Sequence, residues 1–129
     1  MWRPGTVSTA SWTVNRYPSG SRVIEESEIG AALFHRYVAT VLEESPIADL
    51  ILESVQMYLA KHRRVQAAAD ALLIHSNTLR YRLEKYTSIT GADLTDTEAV
   101  IEVWWALEYW QVRRDRISQA GQLAQEAGP

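Results

Sequence analysis

The chain has 129 residues, 47% of them hydrophobic and 22% charged, and a formal net charge of −3, which is typical of one globular domain and excludes a disordered chain. It contains no cysteine, which excludes disulfides, thiolate metal sites and cysteine nucleophiles. The sequence has neither the roughly 18 consecutive apolar residues of a membrane span nor a signal peptide. We therefore expect a cytoplasmic protein that is not an enzyme, has no metal or cofactor and does not bind membranes.

Residues 1–26 are interrupted by prolines and glycines and are predicted to form a flexible N-terminal segment. A helical domain is predicted over residues 27–116. Its first helix runs from Ser27 to Glu44 and ends before Pro46, which cannot continue a helix. The residues predicted on its buried face are Ile29, Leu33, Tyr37, Val41 and Leu42.

The middle of the chain predicts three helices. The first covers residues 47–61, and its predicted buried residues are Leu50, Ile51, Val55, Tyr58 and Leu59. The second covers 65–72 and is rich in alanine, whose small side chain lets two helices cross closely. After the turn Leu73-Ile74-His75, the third begins with Ser76 as its N-cap and covers 76–90, with Gly91 at its C-terminus.

The last helix is predicted to begin at Thr95 or Asp96, where Thr95 and Glu98 have the spacing of a capping box, and to end near Asp115. It carries two apolar stripes, which is more than one packing face requires. The second stripe, predicted to form a dimer or partner interface, consists of Ile101, Trp105 and Tyr109. Residues 117–129 are predicted to be a flexible tail. The fold class is all-α, a small bundle of about five helices containing a helix-turn-helix.

The helix over 76–90 has two chemically different faces. Leu79, Leu83 and Tyr86 recur at helical spacing and are predicted to be buried, whereas its other positions carry amide, hydroxyl, phenol and cationic groups. Between Lys61 and Lys85 there are six Lys or Arg residues against two acids, a local formal charge of +4. Such a helix suits a DNA groove. The alternative is an ordinary helical hairpin whose charges only face water.

Four motifs follow one another between Leu50 and Leu107. They are YL at 58–59, the alanine-rich segment 67–72, HSNTLRYRLE at 75–84 and TGADL at 90–94. In this order they resemble the C-terminal helix-turn-helix domain of PucR-type transcriptional regulators, which include regulators of purine and sugar-diacid metabolism. The second helix of the pair is similar to the recognition helix of Fis-type proteins. Ser76 departs from the pattern, because the family usually has arginine there.

The resemblance implies a DNA-binding surface, and each of its residues has a predicted role. Asn77 can pair with adenine, Thr78 can meet a thymine methyl group, and Arg80 can contact guanine or phosphate. Arg82 either contacts DNA or pairs with an acid on a neighbouring helix, and His75 bonds within the turn or touches a base. The full predicted set is Arg63, Arg64, His75, Ser76, Asn77, Thr78, Arg80, Tyr81, Arg82 and Lys85.

These features predict the DNA-binding module of a bacterial transcriptional regulator, with the helix over 76–90 in the major groove of double-stranded DNA. Family members usually carry sensory and central domains ahead of this module, so we expect a homodimer or a separate sensory domain as partner. The chain is then a detached output module, a truncated gene product or a fragment. The alternative function is a protein-interaction or dimerisation module that keeps the fold but has lost or weakened DNA binding, which the acidic pI and Ser76 favour.

Overall fold

The computed structural model describes residues 28–128, which form five helices and, within that range, no strand. We number them α1 to α5. Helix α1 is α-helical over Glu28–Phe34, π-helical over His35–Ala39 and α-helical again over Thr40–Glu44; the others are α2 (Ala48–Ala60), α3 (Val65–Leu72), α4 (Ser76–Thr90) and α5 (Thr97–Glu126). The predicted all-α class is confirmed. The predicted N-terminal segment, residues 1–26, lies outside the described residues, and so does the prediction made for it.

The core lies where α1, α2, α4 and α5 meet, and α4 contributes its largest fully buried side chain, Tyr86. The Tyr86 hydroxyl donates a hydrogen bond of 3.0 Å to the backbone carbonyl of Tyr37 on α1. The Tyr37 hydroxyl in turn donates to the carboxylate of Glu102 on α5. Burial raises the pKa of both phenols, and the neighbouring Glu102 raises that of Tyr37 further. Both phenols therefore stay neutral and link three helices.

The buried face of α1 differs from the prediction, because only Tyr37 and Val41 of the five predicted residues are buried and Leu33 is half-buried. Ile29 and Leu42 are exposed, and the buried positions of this helix are Gly30, Tyr37, Val38 and Val41. The π-helical turn at His35–Ala39 has wider i→i+5 spacing, so a stripe drawn with one 3.6-residue period loses register along the helix.

Helix α2 also buries a slightly different set from the one predicted. Ile51 and Val55 are buried as expected, but Leu50 is 43% exposed, and Ser54 is fully buried although it is polar. Leu50 is one position, or about 100°, away from Ile51 around the helix, which turns it out of the contact with α3 and α4. The buried serine was not foreseen, and it bears on the site described below.

Helix α5 is capped by Asp96, one of the two predicted starting residues, and ends later than predicted. Asp96 caps it by accepting a hydrogen bond of 3.1 Å from the Ala99 amide, whereas Thr95, the first residue of the predicted capping box, donates its hydroxyl to Asp93. Its predicted end near Asp115 is wrong: the helix continues to Glu126, since the glycine at 121 does not stop it. Residues 113–126 are exposed along this extension. Within residues 28–128 no helix is both long and apolar enough to cross a membrane.

Candidate nucleic-acid interface

Helices α3 and α4 form the predicted helix-turn-helix with the predicted bounds. Ala68 and Ala69 of α3 are fully buried against the core, so the backbones approach closely, as the alanine pattern predicted. The turn has the hydrogen bonds of a Schellman motif: the Leu73 amide donates to Asp70 and the Ile74 amide donates to Ala69. Leu73 adopts a left-handed conformation there. This turn reverses the chain between the two helices in three residues.

The N-cap of α4 is His75, so the prediction of Ser76 as the cap is wrong. His75 has an extended backbone, and its ring atom Nδ1 accepts a hydrogen bond of 3.0 Å from the Asn77 amide. Ser76 has helical conformation and is the first residue of the helix. The imidazole nitrogen replaces the usual hydroxyl or carboxylate oxygen as the acceptor. The prediction that His75 bonds within the turn is confirmed.

The buried stripe of α4 is the predicted one, and its outer surface is polar. Leu79, Leu83 and Tyr86 are buried. At 100° per residue, Asn77 and Tyr81 lie opposite that stripe. The exposed members of the predicted DNA-binding set on this helix are Asn77, Thr78, Arg80, Tyr81 and Lys85, whereas Ser76 and Arg82 are half-buried.

Asn77 and Arg80 act as a unit on the exposed side. The guanidinium of Arg80 donates a hydrogen bond of 3.2 Å to the side-chain oxygen of Asn77, one turn earlier. The amide nitrogen of Asn77 remains on the other side of that group as a donor, and the guanidinium keeps further donors of its own. The first turns of α4 therefore present several hydrogen-bond donors close together, next to the helix N-terminus, which attracts anions.

Arg82 points back into the domain. Its Nη1 donates a hydrogen bond of 3.2 Å to the hydroxyl of Ser54, which itself donates to the Leu50 carbonyl at 2.7 Å. Of the two predicted roles, pairing with a neighbouring helix is thus nearer the structure, although the partner is a hydroxyl and not an acid. The signal for Ser54 was available: it is a serine in phase with Ile51 and Val55 on a buried stripe.

Arg63 and Arg64 lie in the turn between α2 and α3. His62 and Arg63 both have positive φ, 59° and 62°, a conformation that costs a residue with a Cβ about 1–2 kcal/mol. The Arg63 guanidinium is 3.5 Å from the Thr95 carbonyl and donates to it, which draws it towards the loop before α5. Arg64 is exposed and extended immediately before α3.

That loop carries an acidic group held in its charged form. Asp93 accepts hydrogen bonds from both the backbone amide and the hydroxyl of Thr95, and these bonds lower the pKa of its carboxyl group. Gly91 has φ of 73° and ends α4 as predicted, and Leu94 is buried. The TGADL motif therefore has a structural role: it ends the helix and starts the loop.

The three residues of the predicted partner interface on α5 differ in their exposure. Ile101 is 56% exposed and Trp105 is half-buried. The indole N–H of Trp105 is shielded from solvent and finds no acceptor in the part of the chain that the structure describes. Tyr109 is only 5% exposed, because its ring packs on Phe34 of α1 with the centroids 5.4 Å apart. The prediction that Tyr109 lies on an unpartnered face is therefore wrong.

Across residues 28–128, no group of three or more His, Cys, Asp or Glu residues could hold a metal ion.

The segment that contains this helix-turn-helix matches the model of a known protein family. Residues 51–109 match the model of the PucR C-terminal helix-turn-helix domain, a range that begins in α2, contains α3 and α4 and ends in α5. No solved structure matches the chain.

Three curated relatives are regulators of transcription or catabolism by their names. The chain is 30% identical to the transcriptional activator PmfR of Paenarthrobacter nicotinovorans over 86 residues, which cover 67% of this chain and 18% of PmfR. It is 35% identical to the purine catabolism regulatory protein of Bacillus subtilis over 74 residues, 57% of this chain and 14% of that protein. It is 39% identical to the proline-responsive transcriptional activator PutR of the same organism over 46 residues, 36% and 11% respectively. The chain thus spans less than a fifth of each relative.

Proposed function

We propose, from the premise that residues 51–109 belong to the PucR C-terminal helix-turn-helix family, that this segment binds double-stranded DNA and regulates transcription in the cytoplasm. Helix α4 would enter the major groove with its N-terminal turn first, as recognition helices do. The observation that carries the proposal is the exposed Asn77–Arg80 pair at that end of α4.

The contacts divide into those that read sequence and those that supply affinity. Arg80 can contact O6 and N7 of guanine, and Asn77 can contact adenine. Lys85 and Arg64 are exposed cations whose long side chains suit phosphate, which gives affinity without sequence preference. Arg82 is assigned a positioning role: its bond to Ser54 fixes the rotation of α4 on α2.

The test uses duplexes selected from a random pool, with affinity measured by fluorescence anisotropy at several salt concentrations. We expect log K to fall linearly with log salt. Arg80→Ala should weaken binding to the selected duplex by about 1–3 kcal/mol, or about 5- to 150-fold, and relax the preference at one base position. Lys85→Ala should weaken all duplexes alike and reduce the salt slope by about one.

Arg114→Ala is the matched control, because it removes one exposed positive charge from α5, where the guanidinium lies 4.5 Å over the Trp110 ring. It should leave both affinity and salt slope near the wild-type values. If the wild-type chain binds no selected duplex at low salt, or if Arg80→Ala and Arg114→Ala have equal effects, DNA recognition by α4 is refuted.

A second candidate function is homodimerisation through α5 as an interaction module with weakened DNA binding. It is favoured by the exposed Ile101 beside Trp105, whose indole N–H has no acceptor among residues 28–128. Sedimentation equilibrium separates the two functions: Ile101→Lys should convert a dimer to a monomer. A dimer that binds no duplex would favour this second function, and a monomer that binds DNA would contradict it.

A further inference from the structure

Leu73, in the turn between α3 and α4, combines two unfavourable features. Its backbone is left-handed, with φ of 58° and ψ of 42°, which is strained for a residue with a Cβ and easy for glycine. Its side chain is also 92% exposed, more than any other large apolar residue within 28–128. A strained residue that also exposes apolar surface to water is an outlier that calls for a reason outside the fold.

The turn itself does not require a leucine at this position. The two hydrogen bonds of the Schellman motif come from the backbone amides of Leu73 and Ile74, and a glycine would make both without strain. The apolar contact that accompanies this motif is provided by Ile74, which packs against the core. His62 and Arg63 share the left-handed conformation, but their side chains are polar, so their exposure carries no hydrophobic cost.

The position of Leu73 suggests what its side chain meets. It lies two residues before His75, the cap of α4, and hence at the same end of the helix as Asn77 and Thr78. In a helix-turn-helix this end enters the major groove. The apolar group displayed in that groove is the C5-methyl of thymine. An adenine read by Asn77 has thymine as its partner, so such methyl groups are expected in the site.

We propose that Leu73 is a specificity-determining residue that makes an apolar contact with a thymine methyl group at the edge of the groove occupied by α4. The inference rests on the proposed DNA binding. It explains the combination of strain and exposure, because burial against the duplex removes the apolar surface from water only when DNA is bound.

The test combines a protein variant with a base substitution. Leu73→Gly should unfold at a higher temperature than wild type, because the left-handed strain is relieved, but should bind the selected duplex more weakly. Replacing each thymine of that duplex by uracil removes one methyl group. At one thymine position this replacement should lower the affinity of the wild type about fourfold, which corresponds to the burial of one methyl group. The same replacement should leave the affinity of Leu73→Gly unchanged.

Two further variants keep the result interpretable. Leu73→Asn also tolerates the left-handed conformation and should behave like Leu73→Gly, which covers the case in which glycine loosens the turn. Ile117→Ala removes an exposed apolar side chain from α5 and should bind as wild type does.

Three outcomes overturn the proposal. If Leu73→Gly and Leu73→Asn bind like the wild type, the side chain has no role in recognition. If they bind more weakly but the wild type responds to no uracil substitution, the contact is not with a thymine methyl group. If the wild type binds no duplex at all, the proposed function itself fails, which is a result distinct from the other two.

Discussion

Substitution of the Tyr86 hydroxyl measures how firmly α4 is held to α1. Tyr86→Phe keeps the ring in the core and deletes the donor to the Tyr37 carbonyl, a bond of 3.0 Å between residues 49 positions apart. A neutral hydrogen bond contributes about 0.5–1.5 kcal/mol net, and a buried acceptor left without its partner adds to the loss. We expect the free energy of unfolding to fall by about 1–2 kcal/mol, and Tm by about 5–15 °C in a domain of this size.

The assay is urea unfolding followed by tryptophan fluorescence, with affinity for a selected duplex measured on the same samples. Tyr81→Phe is the matched control, since it removes the same atom from the same helix where the side chain is 57% exposed. It should change stability by less than about 0.5 kcal/mol. If Tyr86→Phe costs no more than Tyr81→Phe, then the hydroxyl does not hold α4 to α1, and the reasoning from burial and distance is refuted.

Two further predictions concern the end of α4 and the loop after it. Gly91→Ala should lower the free energy of unfolding by about 1 kcal/mol, because φ is 73°. No atom lies within 4 Å of the added Cβ, so the cost is purely conformational. Gly91→Asn should lower the free energy of unfolding by less, and equal losses for the two variants would contradict this account. Thr95→Val should raise the pKa of Asp93 towards its usual value in an NMR titration, since both the hydroxyl and the amide of Thr95 now lower it. A carboxyl group with a lowered pKa in the folded state stabilises the fold above its usual pKa, and this stability is lost as pH falls through the lowered pKa. Thr95→Val should therefore flatten the acid limb of the curve of stability against pH. An unchanged titration midpoint of Asp93 would show that the hydrogen bond from the Thr95 hydroxyl does not lower its pKa.

Local signals allowed the helix-turn-helix to be predicted from the sequence residue by residue. The bounds of α3 and α4 and the C-terminal glycine were all predictable, because alanine content, the apolar period and Gly91 act within a few residues. The cap was the exception. Serine is the more common N-cap, and the choice of His75 depends on the ring reaching the Asn77 amide, which is a matter of side-chain geometry.

The predictions that failed depend on contacts between distant parts of the chain. Tyr109 was assigned to an interface because nothing in α5 alone shows that Phe34, 75 positions earlier, covers it. Arg82 was left with two roles, a DNA contact or an acid on a neighbouring helix, and only the packing of α4 on α2 shows that its partner is the Ser54 hydroxyl. A helical period identifies which residues share a face, and only tertiary packing decides what covers that face.

The length of α5 has a thermodynamic consequence. At 1.5 Å per residue its 30 residues extend about 45 Å, and the part after Val112 is exposed all round. A separate peptide of that length would be marginally helical in water, because nucleation is costly. Here the buried half provides the nucleus, so each further turn needs only propagation. The helix content of this exposed part of α5 should therefore decline gradually on warming, which would appear as a sloping far-UV circular dichroism baseline before the cooperative transition. Amide hydrogen exchange should be fastest at Glu126 and become slower towards the core.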